Sequence, residues 1–346
     1  MNKKKKIGIT LLIMLCIVIG VGLIIDKVTE FKIDDSRIEN IIRVQVHKET
    51  GKLRKSDLDK VTTVSNIKGE DEGKYLYLFK NLEQLNMNGT AQYDNLDFLE
   101  NNKKLKKLVI TADDGSIKNL DGLKELENLE EIQLGEVDVE NIDALSNFKN
   151  LKKLIIEFSN IKDWNGINKL TNLEELGVNF SQLDDKQTKE LIGDLKKLKS
   201  LRLNTNNIKD ISFLANHKNL EELFLCDNEI ENISSISNLK NLNTLYLDSN
   251  NIQDISPLKN LIKLKTLRIG GNKIEDISNL QELKSLEELH IEQNNIENID
   301  SLMEMKDLKE LWLYNNLIED EEKLKILQER IYKNNPDSSQ NRFMWK

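Results

Sequence analysis

The stretch "LEELFLCDNEIENISSISNLKN" occupies residues 220–241, and the chain then nearly repeats itself. "LNTLYLDSNNIQDISPLKNLIK" follows at 242–263 and "LKTLRIGGNKIEDISNLQELKS" at 264–285. Leucines, isoleucines and one asparagine stay fixed, while Phe224 gives way to Tyr246 and then to Arg268. Aligned on their first leucine, the units begin at Leu82, Leu105, Leu129, Leu151, Leu173, Leu198, Leu220, Leu242, Leu264, Leu286 and Leu308. The step is 22 residues except from Leu82, Leu105 and Leu173, where it is 23, 24 and 25.

A sustained period of this size, with L-x-x-L-x-L-x-x-N inside it, marks a leucine-rich-repeat solenoid. In "LEELFL", Leu223 and Leu225 alternate with Phe224, so the leucines face inward and the intervening residue faces out. Ile230, Ile233, Ile236 and Leu239 return inward at spacings of three, as tight 3₁₀-like turns require. Asn228 stands where the chain leaves the strand, and its amide can satisfy turn backbone groups that have no ladder partner. The same asparagine recurs as Asn206, Asn250, Asn272, Asn294 and Asn316, which predicts a buried structural ladder. One repeat cannot bury its own apolar face, so stacked neighbours and covered ends are required.

Both ends carry helical signals. "SRIENIIRVQV" (36–46) places Ser36 and Glu39 as a capping box and Ile38, Ile41 and Ile42 on one face. "KSDLDKVTTV" (55–64) reads as a short helix leading into a degenerate first turn. "DEEKLKILQERIYK" (320–333) sets Leu324, Leu327 and Ile331 at helical spacing, with acids first and bases last. The final "NNPDSSQNRFMWK" is polar until Phe343, and the sequence leaves its path open. The expected class is therefore α/β: a curved horseshoe with a parallel concave sheet, a mostly 3₁₀ or irregular convex side, and helical caps. The expected organisation is a basic segment at 1–6, an apolar segment at 7–25, a helical cap with a degenerate first turn at 31–81, repeats at 82–318, and a capping helix with tail at 319–346.

Residues 7–25 hold no charged side chain and follow four lysines. Nineteen helical residues span roughly 28 Å, close to the hydrocarbon thickness. The expectation is a single-pass membrane anchor with the lysines cytoplasmic and the remainder extracytoplasmic and cell-surface. The competing reading is a cleaved secretory signal, with Gly20-Val21-Gly22 as the small-residue site. Setting aside those four lysines takes the formal charge from −9 to −13, and an acidic body argues against a nucleic-acid partner. Only Cys16 and Cys226 are present, so no internal disulfide framework is expected.

The phase "NNIKDISFLANH", "NNIQDISPLKNL" and "NKIEDISNLQEL" resembles the 22-residue repeats of bacterial internalin-type surface proteins. The segment "FKIDDSRIENIIRVQVHKETGKLRKSDLDKVTTV" (31–64) is similar to the helical cap that precedes such repeats. The resemblance covers roughly residues 31–333 and implies the fold far more specifically than the ligand. The chain departs from the best-known members in having no LPxTG-type sorting motif and no immunoglobulin-like or wall-binding module after the repeats.

The variable outward residues define the candidate binding surface. One column runs Arg202, Phe224, Tyr246, Arg268, His290, Trp312, and its neighbour runs Asn204, Cys226, Asp248, Gly270, Glu292, Tyr314. Aromatics and arginine are what protein-binding hot spots favour. The N-terminal half of the first column is blander: Asn86, Val109, Gln133, Ile155, Gly177. The expected ligand is a protein held by Arg202, Phe224, Tyr246, Asp248, Arg268, His290, Trp312 and Tyr314. Alternatives are a cytoplasmic scaffold resembling phosphatase regulators, and a cell-wall or carbohydrate-binding module using the aromatic column for stacking.

Signals for chemistry are weak, and no enzyme activity, cofactor or metal is expected. Of three histidines, His217 fills the slot of Phe148, Leu170, Leu239 and Met305 and reads as structural. Glu288, His290 and Glu292 alternate on one face but read as a solvated cluster. Cys226 has no local base or helix N-terminus to activate it. "TADDGSI" (111–117) lacks calcium-loop spacing, and "LDDKQTKELIGDLKKL" (183–198) reads as a convex-side helix capped by Asp184 or Asp185.

Overall fold

In the computed structural model of the chain, residues 32–67, 69–89, 94–112, 117–336 and 343–345 are described. Among them, thirteen strands form one sheet whose neighbouring pairs are all parallel. Eleven of these strands come from the repeats. Two more close the ends: Thr63–Ile67 before the first repeat and Phe343–Met344 after the last.

Register is strict. Leu201, Leu223, Leu245, Leu267, Leu289 and Leu311 lie opposite one another from strand to strand. They are buried in a single core, with Ile230, Ile233 and Ile236 and their equivalents returning from the convex side. Pairing continues past the short formal strands through Leu225 N to Tyr246 O (2.9 Å) and Asp227 N to Asp248 O (2.9 Å). Each such turn then places one residue in the left-handed region: Thr205, Asp227, Ser249, Gly271, Gln293 and Asn315 have φ between 55° and 62°. The ladder asparagine is the next residue in every case.

Asn250 shows how that amide works. Its Nδ2 donates to Leu247 O (3.1 Å) and Asp248 O (3.2 Å) in its own turn and to Leu225 O (2.9 Å) in the preceding one. Its Oδ1 accepts from Ile230 N at 3.0 Å. In the earlier repeats Ser159 and Ser181 hold this position, and the hydroxyls donate to Glu157 O and Asn179 O, both at 2.9 Å.

The convex side follows the I-S signal. The 3₁₀ segments Ser212–Asn216, Ser256–Asn260 and Ser278–Glu282 each begin with a serine N–H bonded to the preceding Asp210, Asp254 or Asp276 carboxylate at 2.8 Å. Three consecutive repeats upstream, from Leu129 to Leu173, depart from this pattern. Asp138–Asn141 pairs in parallel with Asn160–Asp163 as a separate two-stranded sheet. Helix Asp185–Ile192 takes the place of a 3₁₀ turn, and Asp184 is its cap through Gln187 N at 2.8 Å. Asp185 instead accepts Lys209 N and Asp210 N at 2.7 and 3.0 Å.

At the N-terminus, helix Ser36–Gln45 buries Ile38 and Ile42. Its cap is Asp35, which accepts from Arg37 N and Ile38 N at 2.9 and 3.1 Å, not the expected Ser36. The expected partner Glu39 is drawn away to Arg43, 2.6 Å distant and one turn on. At the other end, helix Glu321–Asn334 buries Leu324, Leu327 and Ile331. Arg330 and Asn334 side chains take the carbonyls of Met303 and Leu308 at 3.0 and 2.7 Å. The tail does not trail away: Phe343 and Met344 pair with Leu311 and Trp312.

One expectation is corrected. Among the described residues no helix is long and apolar enough to cross a membrane. The longest of them, Glu321–Asn334, has 14 residues where about 20 apolar ones are needed. The proposed anchor at 7–25 lies outside the described residues. The transmembrane helix, the single-pass membrane attachment and the localisation built on them are therefore withdrawn.

Candidate ligand-binding face

Parallel register places Arg202, Phe224, Tyr246, Arg268, His290 and Trp312 in one row across the sheet. The row is continuous by contact. The Arg202 guanidinium lies 4.1 Å from the Phe224 ring centroid, and Phe224 meets Tyr246 edge to face at 4.9 Å. The Arg268 guanidinium lies 4.6 Å from the Tyr246 centroid, and His290 stacks on Trp312 at 4.1 Å with planes 12° apart. Tyr314, two residues beyond Trp312, tilts against it at 6.4 Å. Cation–aromatic and aromatic pairs of this geometry are each worth roughly 0.5–1.5 kcal/mol, so the row holds its own shape.

Self-packing alters which residues offer surface. Phe224 is only 8% exposed and His290 only 2%, because their neighbours cover them. Arg202, Tyr246, Arg268, Trp312 and Tyr314 are half-buried and present area. Acids of the adjoining row hold the cations. Arg268 Nε and Nη2 both reach Glu288 Oε1, at 2.8 and 2.6 Å. Arg202 lies 3.7 Å from Glu175 and 3.6 Å from Glu222.

The second row is shaped by a glycine. An added Cβ at Gly270 would stand 2.8 Å from the Glu292 carboxyl carbon, so Gly270 leaves the space into which Glu292 folds. Asp248 Oδ1 accepts the Gly270 N–H from the other side at 2.8 Å. Burial pushes the carboxyl pKa of Asp248 above the usual range. Burial does the same to Glu292, with Asp248 adding to it. Glu292 Oε2 is enclosed without a hydrogen-bond partner. The same device recurs upstream, where Gly177 makes room for Ile155 at 2.8 Å.

Nucleophilic chemistry finds no support at Cys226. Burial, and then the Asp248 charge, push its thiol pKa up to about 12, whereas a reactive cysteine needs the thiolate. The expected Glu288–His290–Glu292 alignment is also revised. Glu292 turns toward Gly270, while Glu310, placed opposite Glu288 by register, comes to His290 Nε2 at 3.1 Å. Burial, and then the Arg268 charge, hold the His290 pKa below the usual imidazole range. His217, the other buried histidine, sits between Phe213 O (3.1 Å) and Ile192 O (3.2 Å), away from the concave face.

Sequence reasoning missed one exposed feature. Phe158 and Phe180 stack at 4.3 Å with planes 13° apart, 56% and 45% exposed, at the left-handed turn positions of successive repeats. Such backbone is uncommon for a bulky residue. The available signal was register: each phenylalanine directly precedes a serine at the ladder position.

A family described as "Leucine Rich repeats (2 copies)" matches residues 218–260, 240–282, 262–302 and 284–325. No curated protein sequence matches the chain. Among solved structures, an internalin (inlF) from Listeria monocytogenes is 29% identical, with a TM-score of 0.68, covering 83% of this chain and 91% of that one. Two further structures share the fold alone. The plant peptide hormone receptor RGFR1 in complex with RGF2 is 20% identical (TM-score 0.54; 76% of this chain, 49% of that one). TLR13 in complex with ssRNA13 is 19% identical (TM-score 0.57; 79% and 46%). The 22-residue register, the helical cap and the near end-to-end overlap with the Listeria protein agree: the chain has a leucine-rich-repeat fold similar to that of the internalins.

Proposed function

We propose that the chain is a non-enzymatic protein-binding module whose ligand docks on the C-terminal half of the concave face. The observation that carries this reading is the contact-linked row from Arg202 to Trp312, with Asp248 and Tyr314 beside it. A row whose side chains are already fixed by their neighbours loses little rotamer freedom on binding. Half-buried tyrosine, tryptophan and arginine are the residue types that dominate interface energetics. The plant receptor, described as a complex with a peptide hormone, supports the general use of such a scaffold for polypeptide ligands.

The test is affinity capture with the full chain against a Tyr246→Ala/Trp312→Ala/Tyr314→Ala variant whose circular dichroism and ligand-free fold match. A protein retained by the wild type and lost by the variant is the expected result. Equal retention by both forms moves the site off this face. Retention of purified wall polymer instead of protein replaces the proposal with the carbohydrate reading.

A further inference from the structure

We propose that Glu288, His290 and Glu310 form a binding site for a divalent cation of the zinc class. Glu288 and His290 are two residues apart on the strand Glu288–His290 and so share a face; register brings Glu310 alongside from the strand Glu310–Trp312. His290 Nε2 lies 3.1 Å from Glu310 Oε1 and 3.4 Å from Glu288 Oε1. One donor atom from each of the three residues falls within 4.8 Å of the others. A tetrahedral ion with bonds of about 2.0–2.2 Å sets its donors roughly 3.3–3.6 Å apart. The two observed separations are within a few tenths of an ångström of that edge.

Two of the three ligands are buried. His290 is 2% exposed and Glu310 8%, and the Trp312 ring holds the imidazole plane in place at 4.1 Å. One imidazole nitrogen with two carboxylate oxygens suits borderline ions such as zinc or cobalt. Calcium and magnesium prefer all-oxygen shells. Charge favours occupancy too: two carboxylates, Glu288 and Glu310, face one cationic side chain, Arg268. Arg268 is the built-in competitor. It spends both donors on Glu288 Oε1, and its positive charge opposes a second cation nearby. The site stands on this geometry alone and is independent of whether a protein docks on the same face.

Equilibrium dialysis of the chelator-stripped full chain against Zn²⁺ near pH 7.5 tests the proposal, with melting temperature followed in parallel. The expected result is one ion per chain and a melting temperature that rises with Zn²⁺. His290→Gln and Glu310→Gln should bind at least about tenfold more weakly, since even outer-shell losses cost 10–100-fold. Arg268→Gln should bind severalfold more tightly, and Glu292→Gln should match the wild type. Should His290→Gln fail to fold, Glu310→Gln and Glu288→Gln carry the comparison. No saturable uptake by the wild type, or uptake equal in all folded variants, overturns the proposal and leaves only adventitious binding by surface acids.

Discussion

His290 and Trp312 stack face to face across two neighbouring strands, and the tryptophan is what keeps the imidazole from water. Trp312 therefore packs within the fold while still presenting area at the surface. Trp312→Ala is expected to destabilise the chain by about 2–3 kcal/mol, less than a fully buried tryptophan, because the ring is half-exposed. It should also weaken ligand capture more than the smaller Tyr314→Ala does. Urea denaturation and a binding titration on the same two variants check both statements; equal binding losses would contradict the second.

Asn250→Ala should be among the costliest single changes to this fold. It leaves Ile230 N–H buried and unpaired, at about 1–3 kcal/mol, and strips the Leu225 carbonyl of one of its two amide donors, Asn228 keeping the other. Asn316→Ala should cost less, since that amide is only half-buried and lies in the last turn. Chemical denaturation of the two variants ranks them, and a reversed order would contradict the ladder's role.

Asp248→Asn is expected to raise the melting temperature at neutral pH. The asparagine keeps an acceptor for Gly270 N–H and removes a charge that burial disfavours. The sign follows from linkage: a carboxyl whose folded pKa is raised holds its full stability only below the unfolded value and loses it as pH rises through the folded one. The advantage of the variant should thus fade as pH falls below the ordinary aspartate range. A thermal series from pH 3 to 8 tests this, and a variant advantage that grows toward acid would refute it.

His217 should make stability fall on mild acidification. Burial first, and then the Lys196 charge, depress its pKa, against the opposing pull of the Ile192 and Phe213 carbonyls. A base with a depressed folded pKa contributes stability that is present above the ordinary imidazole value and lost as pH drops through the folded one. His217→Leu, the side chain used at Leu239, should flatten part of the loss between pH 7 and pH 5 in urea titrations. An unchanged slope would sink this assignment.

Much of this architecture was legible because each repeat reports twice. Leu223 and Leu225 alternate as a strand must, and Ile230, Ile233 and Ile236 step as a 3₁₀ turn must, so strand and turn follow from one 22-residue phrase. What escaped was contact between side chains of different repeats. Periodicity puts Glu292 in line with His290, but not folded over Gly270. It puts Glu310 a whole repeat away from Glu288, although register makes them neighbours. The Asp35 cap was missed for a simpler reason: Asp34, Asp35 and Ser36 are all acceptable caps, and sequence alone does not choose among them. The path of the tail was open because two paired residues are too few to leave a pattern.

Those two residues have a consequence for assembly. A parallel sheet built from identical steps offers at its last strand the same row of backbone donors and acceptors that every inner strand has already used. Here the chain's own terminus occupies it, with Phe343 against Leu311, and Leu313 N bonded to Met344 O at 2.6 Å. A second molecule seeking to continue the stack meets a two-residue edge strand, and so short an edge disfavours head-to-tail growth into filaments. The fold thus closes its stack with Phe343 and Met344 instead of leaving Glu310–Trp312 as an open edge.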